Sequence, residues 1–240
     1  MATRGGLLII AHRGASAVAP ESTRPAIRAA IEAGADMIEL DVQMTRDRRL
    51  IVFHDERLER TTNGSGRLSA RRYADLAQLD AGSWFHPRFA GERILLVSQA
   101  IRCIPPPRRM NLELKRTATR STLLRHLIRL IRQMAVMKRL LISSFDSHLL
   151  KALPPSGLSR ALICDHDPDR SLATAVRLGC ESWHPSHRVV RPRHIHQAHA
   201  AGLRVYVWTV DEPRRARALA AWGIDGLFTN HPAAMAHGNV

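Results

Sequence analysis

Cysteine is scarce in this 240-residue chain: only Cys103, Cys164 and Cys180 occur, far apart in sequence and without metal-ligand spacing. That excludes a disulfide framework and a thiolate metal site, and it fits a reducing compartment. Aromatic residues are few; five phenylalanines and two tyrosines fall in no stacking pattern, so no nucleic-acid partner is expected. No apolar run approaches the length of a membrane-crossing helix. Also missing are a Ser/Gly/Pro-rich linker, an internal repeat and a low-complexity tract. Acidic residues are in deficit, 21 against 36 basic ones, for a formal net charge of +15. The basic residues are mostly arginine. In "RSTLLRHLIRLIRQMA" they alternate with an apolar stripe, the pattern of a solvated surface helix. Electrostatic attraction of an anionic substrate comes on top of that.

What is present is a set of charged residues placed in or just after short apolar runs. His12-Arg13-Gly14 follows "LLIIA", Glu39 and Asp41 lie in "IELDV", His54 follows "LIVF", and Glu113 and Lys115 lie in "NLELK". Side chains two apart on a strand share a face, so Glu39 pairs with Asp41 and Glu113 with Lys115. Three carboxylates without cysteine form a hard-ligand set suited to one divalent cation, Mg²⁺ or Ca²⁺. Those carboxylates, a dication, Arg13, Lys115 and a phosphodiester sum to a formal charge near zero, as a buried ionic site requires. Isolated acids between apolar residues would instead be costly.

The length suits one α/β barrel or two small domains. Candidate strands are 7–11, 36–42, 50–54, 110–114, 140–144, 160–164, 180–184, 204–209 and 225–229. Candidate helices are 23–33, 72–79, 96–103, 120–135, 146–152, 169–178, 192–201 and 212–222, with Asp146 or Ser147 and Asp211 as N-caps. About eight strand–helix units predict a (β/α)₈ barrel whose active site lies at the C-terminal strand ends, where the charged residues fall. Residues 55–93 break the alternation and read as an insertion over the barrel mouth, after the second strand unit. Residues 1–240 are therefore expected to form a single barrel domain. The first strand starts near Leu7 and leads into His12, so a cleaved leader would remove the constellation; a cytoplasmic protein is expected. His194, His196 and His199 imitate a zinc site, but their spacing puts i and i+2 on different helix faces. His184 and His187 follow a strand and are expected near the pocket rim.

The segments "AHRGASAVAPEST", "DMIELDVQMTRDRRLIVFHDERLERTTNGSG", "MNLELK", "LISSF", "VYVWTVDEP" and "GIDGLFTN" resemble, in order, the motifs of glycerophosphodiester phosphodiesterases of the short cytosolic bacterial type. The resemblance runs from about residue 9 to about residue 231 and includes an insertion in the same place. It implies His12 and His54 as an acid/base pair, Arg13 and Lys115 as phosphate-binding cations, and Glu39, Asp41 and Glu113 as metal ligands. It further implies Glu21 as a pocket-organising residue, and Ser144, Phe145 and Trp208 as pocket lining. The implied reaction is metal-dependent hydrolysis of a small-molecule glycerophosphodiester to sn-glycerol 3-phosphate and an alcohol, by a monomer or homodimer. Three positions depart from the pattern: Ser22 replaces an asparagine, Asn230 an aspartate, and Asp211 a common asparagine. Two other readings are a lysophospholipid-cleaving relative, for which Trp84, Phe85 and Phe89 offer little apolar entrance, and a non-catalytic anion- or nucleic-acid-binding protein.

Overall fold

Nine short runs form strands in the computed structural model, which describes residues 6–154 and 157–235; residues 1–5 and 236–240 of the expected domain lie outside that description. The strands are β1 (Leu8–Ala11), β2 (Met37–Met44), β3 (Leu50–Val52), β4 (Arg109–Leu114), β5 (Leu140–Ser144), β6 (Ser159–Cys164), β7 (Ser182–Pro185), β8 (Arg204–Val207) and β9 (Gly226–Thr229). Eight of them pair in parallel in the order β1-β2-β4-β5-β6-β7-β8-β9, and β9 returns to β1. The closed barrel is thus the expected (β/α)₈ architecture.

The helices are α1 (Arg24–Glu32), α2 (Tyr73–Leu76), α3 (Val97–Cys103), α4 (Arg120–Met134), α5 (Ser147–Lys151), α6 (Pro168–Arg177), α7 (Pro192–Ala200), α8 (Pro213–Ala221) and α9 (Pro232–Met235). α6, α7 and α8 each begin on proline, which has no N–H to leave unpaired in the first turn. α4 buries Leu123, Leu124, Leu127 and Ile131 and turns its arginines outward, as its stripe predicts. Asp146 caps α5 as expected, accepting from the N–H groups of His148 and Leu149. Asp211 does not cap α8: Glu212 holds that position, and the Asp211 carboxylate turns to the end of β9.

β3 is not a barrel strand. β2 runs beyond the last residue of β4, and its end pairs antiparallel with β3, Val42 opposite Val52 and Met44 opposite Leu50. The hairpin carries the chain back to the rim, so His54 arrives at the mouth from outside the barrel. The Gln43 side-chain amide donates to the carbonyls of Phe53, His54 and Asp55 at 3.0, 3.0 and 2.7 Å, and so pins that return.

Three apolar clusters hold the molecule. The largest lies between strands and helices; a smaller one, with Ile10, Met37, Leu141, Ala161, Tyr206 and Phe228, fills the barrel interior. The third belongs to the inserted segment. Its Leu58, Leu68, Leu76 and Ala81, with Ile94 just beyond it, pack on Ile51 and Phe53. The expected helix 72–79 is a single turn, because the chain bends back at Asp80. That carboxylate accepts from the N–H groups of Gly82, Ser83 and Gly91. The insertion is therefore an ordered unit with its own core. Leu68 is fully buried in it. Leu68→Ala is expected to cost roughly 2–5 kcal/mol, read as a lowered urea midpoint.

Candidate active site

The turn after β1 sets the first group of side chains. Arg13 and Gly14 both take left-handed backbone conformations, at φ 56° and 80°. A Cβ on Gly14 would lie 2.7 Å from the backbone of Ala26, so only glycine lets this turn pack on α1. The turn aims the Arg13 N–H at Glu39 Oε2, 2.9 Å away, and its guanidinium at Asp41 and Glu21. Ser22, where the resembled pattern has asparagine, also has positive φ, 62°; its N–H donates to the Arg13 carbonyl at 2.9 Å. Asparagine adopts that conformation more readily than serine.

β2 and β4 are hydrogen-bonded neighbours, and their register sets Asp41 beside Glu113 and Glu39 beside Asn111. Donor oxygens of Glu39, Asp41 and Glu113 lie within 4.8 Å of one another. Lys115 Nζ reaches Asp41 Oδ1 at 2.8 Å and Glu113 Oε1 at 2.5 Å. Burial pushes the Glu39 carboxyl well above the usual carboxylate range, and the neighbouring Asp41 and Glu113 push it the same way. Burial also raises Glu113, helped by Asp41. Asp41 ends below its ordinary value: burial opposes ionisation there, but Lys115 and Arg13 outweigh it. Glu39 Oε1 is buried without a hydrogen-bond partner. An orphaned oxygen in an all-oxygen cluster with excess negative charge fits a hard divalent cation.

His12 and His54 face the same cavity of about 210 Å³, which Arg13, Glu39, Asn111, Glu113, Lys115, Phe145, Ile163, His184, Trp208 and Phe228 complete. Their partners differ. His12 Nδ1 lies 2.8 Å from Asn230 Oδ1; Asn230 Nδ2 donates to Asp211 Oδ2 at 2.7 Å, which fixes the amide's direction. The two departures near the end of the chain therefore touch: an amide faces the histidine and the carboxylate stands behind it. Burial lowers the His12 pKa to about 4, and Arg13 adds to the effect. His54 Nδ1 instead meets the Asp55 carboxylate at 2.5 Å. Burial lowers this histidine too, with Asp41 and Asp55 opposing. Arg60 clamps Asp55 and, with Arg13, Glu21, so hydrogen-bonded and ion-paired side chains link the hairpin to the β1 turn.

Phe145 and Trp208 meet edge to face at 5.6 Å on the cavity wall. Ser144 does not line it. Strand alternation turns Ser144 the other way, and its hydroxyl ties the end of β5 to the Leu114 carbonyl at 2.7 Å. Glu21 also lies off the wall, acting on Arg13 and Arg60. No residue of 55–93 lines the cavity; Trp84, Phe85 and Phe89 stack on one another elsewhere. His184 is in the wall, fully buried, with Nε2 against Ser182 Oγ at 2.9 Å; His187 lies outside the cavity lining. Sequence reasoning passed over Asn111, although it stands two residues before Glu113 and so shares its face. Ile163 and Phe228 carry no signal beyond being apolar. Among the described residues the carboxylate triad is the single metal-like cluster, so the histidines of α7 form none. A larger open groove of about 1050 Å³ beside α4 has no carboxylate in its lining.

Residues 12–234 match the Glycerophosphoryl diester phosphodiesterase family. A glycerophosphodiester phosphodiesterase of Caldanaerobacter subterraneus is 34% identical over 230 residues, covering 94% of each chain. Among solved structures, an Oleispira antarctica phosphodiesterase in complex with the product sn-glycerol-3-phosphate superposes with TM-score 0.88 at 30% identity, over 95% of this chain and 94% of that one. An Agrobacterium tumefaciens glycerophosphodiester phosphodiesterase gives TM-score 0.84 at 27% identity, over 96% and 99%. The chain belongs to the glycerophosphoryl diester phosphodiesterase family. No helix among the described residues is long and apolar enough to cross a membrane.

Burial also lowers the His184 pKa, to about 3. Both His184 and His12 stay neutral in the folded chain at pH values where an unfolded histidine binds a proton. Their contribution to stability is present above pH about 6.5 and is lost as the pH falls toward the folded values, at about 1.4 kcal/mol per pH unit per histidine. His184→Gln is expected to flatten the slope between pH 6 and 4 by about one proton, measured by urea titrations across that range.

Proposed function

We propose that this protein hydrolyses glycerophosphodiesters to sn-glycerol 3-phosphate and an alcohol, with Glu39, Asp41 and Glu113 holding Mg²⁺ or Ca²⁺ and with His12 and His54 moving protons. The observation that carries the reading is the cluster of three buried carboxylates, two of which, Glu39 and Glu113, line one 210 Å³ cavity together with Arg13, Lys115, His12 and His54. A cation bound there would stabilise charge on the phosphoryl oxygens. Arg13 and Lys115 supply fixed positive charge for the same oxygens. Phe145 and Trp208 give one side of the cavity an apolar wall.

The different partners of the histidines support different tasks for them. His12 donates Nδ1–H to an amide and is neutral near pH 7, so Nε2 offers a lone pair and takes the proton of the attacking hydroxyl. His54 has the Asp55 carboxylate behind it, which stabilises the imidazolium and suits it to protonate the departing oxygen. The cavity has little room for an acyl chain, which favours a deacylated substrate over a lysophospholipid.

A coupled glycerol-3-phosphate assay on glycerophosphocholine, glycerophosphoglycerol and lysophosphatidylcholine tests the reaction. Chelator is expected to abolish turnover and Mg²⁺ or Ca²⁺ to restore it; full activity in metal-stripped protein would refute the metal site. Glu113→Gln keeps the shape and removes a charge, so metal affinity measured by calorimetry should fall more than the melting temperature.

His12→Ala and His54→Ala are each expected to lower kcat by roughly 10²–10⁴-fold, and the double variant by much less than the product. A nitrophenyl phosphodiester needs little protonation on departure. It should rescue His54→Ala and not His12→Ala; the opposite pattern reverses the assignment.

A further inference from the structure

Beyond phosphorus, the alcohol half of a diester has to leave the 210 Å³ cavity. Lys115 belongs to that cavity and also to a second, open groove of about 520 Å³ between the β2–β3 hairpin and the loop from β4 to α4. A groove of this size suits a small ligand. Exposed Arg46, Arg48, Arg67 and Arg116 converge on it, and Glu56 is the one acid in its lining. Glu56 lies 3.5 Å from Arg67, but both side chains are more than two-thirds exposed, so water screens the pair. The side chains of Arg46, Arg48 and Arg116 have no carboxylate partner among the described residues. α4 adds a second, independent attraction for anions. Thr119 and Thr122 at its start line the groove, its first turn has no acid, and no side chain caps its N–H groups.

We infer that this groove seats the leaving alcohol and selects glycerophosphodiesters whose alcohol carries a phosphate of its own. The inference rests on the hydrolytic reading above. The nucleophile's oxygen bonds to phosphorus as the P–O bond to the alcohol breaks, and a proton from the nucleophile is balanced by one delivered to the alkoxide. After water completes the hydrolysis, the products are glycerol 3-phosphate and an alcohol that retains its second phosphate. A choline head group, a fixed cation, meets the same walls with repulsion.

The test compares kcat/KM for bis(glycerophospho)glycerol and glycerophosphoinositol 4-phosphate with that for glycerophosphoglycerol and glycerophosphocholine, at low and high salt. At least one of the first two is expected to exceed glycerophosphoglycerol by about tenfold or more, through KM, with the advantage shrinking at high salt. Which of them leads identifies a second diester or a phosphomonoester as the natural source. An Arg46→Gln/Arg67→Gln variant should lose about tenfold on the preferred doubly phosphorylated substrate and stay within about twofold on glycerophosphoglycerol. Equal kcat/KM across the four substrates, or a parallel loss on both in the variant, overturns the inference while the hydrolytic reading stands. No turnover of any glycerophosphodiester overturns both.

Discussion

Everything at the barrel mouth depends on charge compensation around Glu39, Asp41 and Glu113. Buried carboxylates cost several kcal/mol each unless paired. Here the pairs come from two different places: Arg13 from the turn after β1 and Lys115 from the end of β4. The Gly14 contact with α1 holds the first, and the parallel register of β2 and β4 holds the second. Two cations against three carboxylates leave a negative balance. That balance gives a divalent cation and a phosphodiester a reason to enter together.

The second constraint is the asymmetry of the two histidines. His12 sits on a barrel strand end and leans on an amide backed by Asp211. His54 arrives on a hairpin and leans on Asp55, itself clamped by Arg60. Both rings are thereby held with the proton on Nδ1, but one faces a neutral amide and the other a carboxylate. The Asp211 carboxylate accepts from the Asn230 backbone N–H and side-chain amide, which places the negative charge one step away from His12.

The β2–β3 hairpin and the insertion serve positioning more than cover. Gln43 fixes the backbone of 53–55, the satellite core anchors β3, and Arg60 ties the segment to Glu21. The same hairpin forms one wall of the arginine-lined groove. One structural device therefore delivers a histidine to the cavity and shapes the path away from it.

Several features were legible in the sequence because they depend on local rules. Two-residue spacing put Glu39 with Asp41 and Glu113 with Lys115, and strand–helix alternation led to the barrel. Apolar runs marked the strands within a residue or two, since burial on both faces demands them. Other features needed the tertiary structure. The sequence could not say that β3 runs antiparallel, because its apolar run reads like any buried strand. It could not turn Ser144 away from the cavity or bring Asn230 against Asp211, 19 residues away, since both follow from register and closure. Nor could it join Arg46, Arg67 and Arg116 into one groove, because a surface arginine looks the same in sequence wherever it points. The chain alone determined which chemical groups are available and on which strands; barrel closure decided which of them meet, because contacts between distant strands are set by packing and register and not by neighbours in sequence.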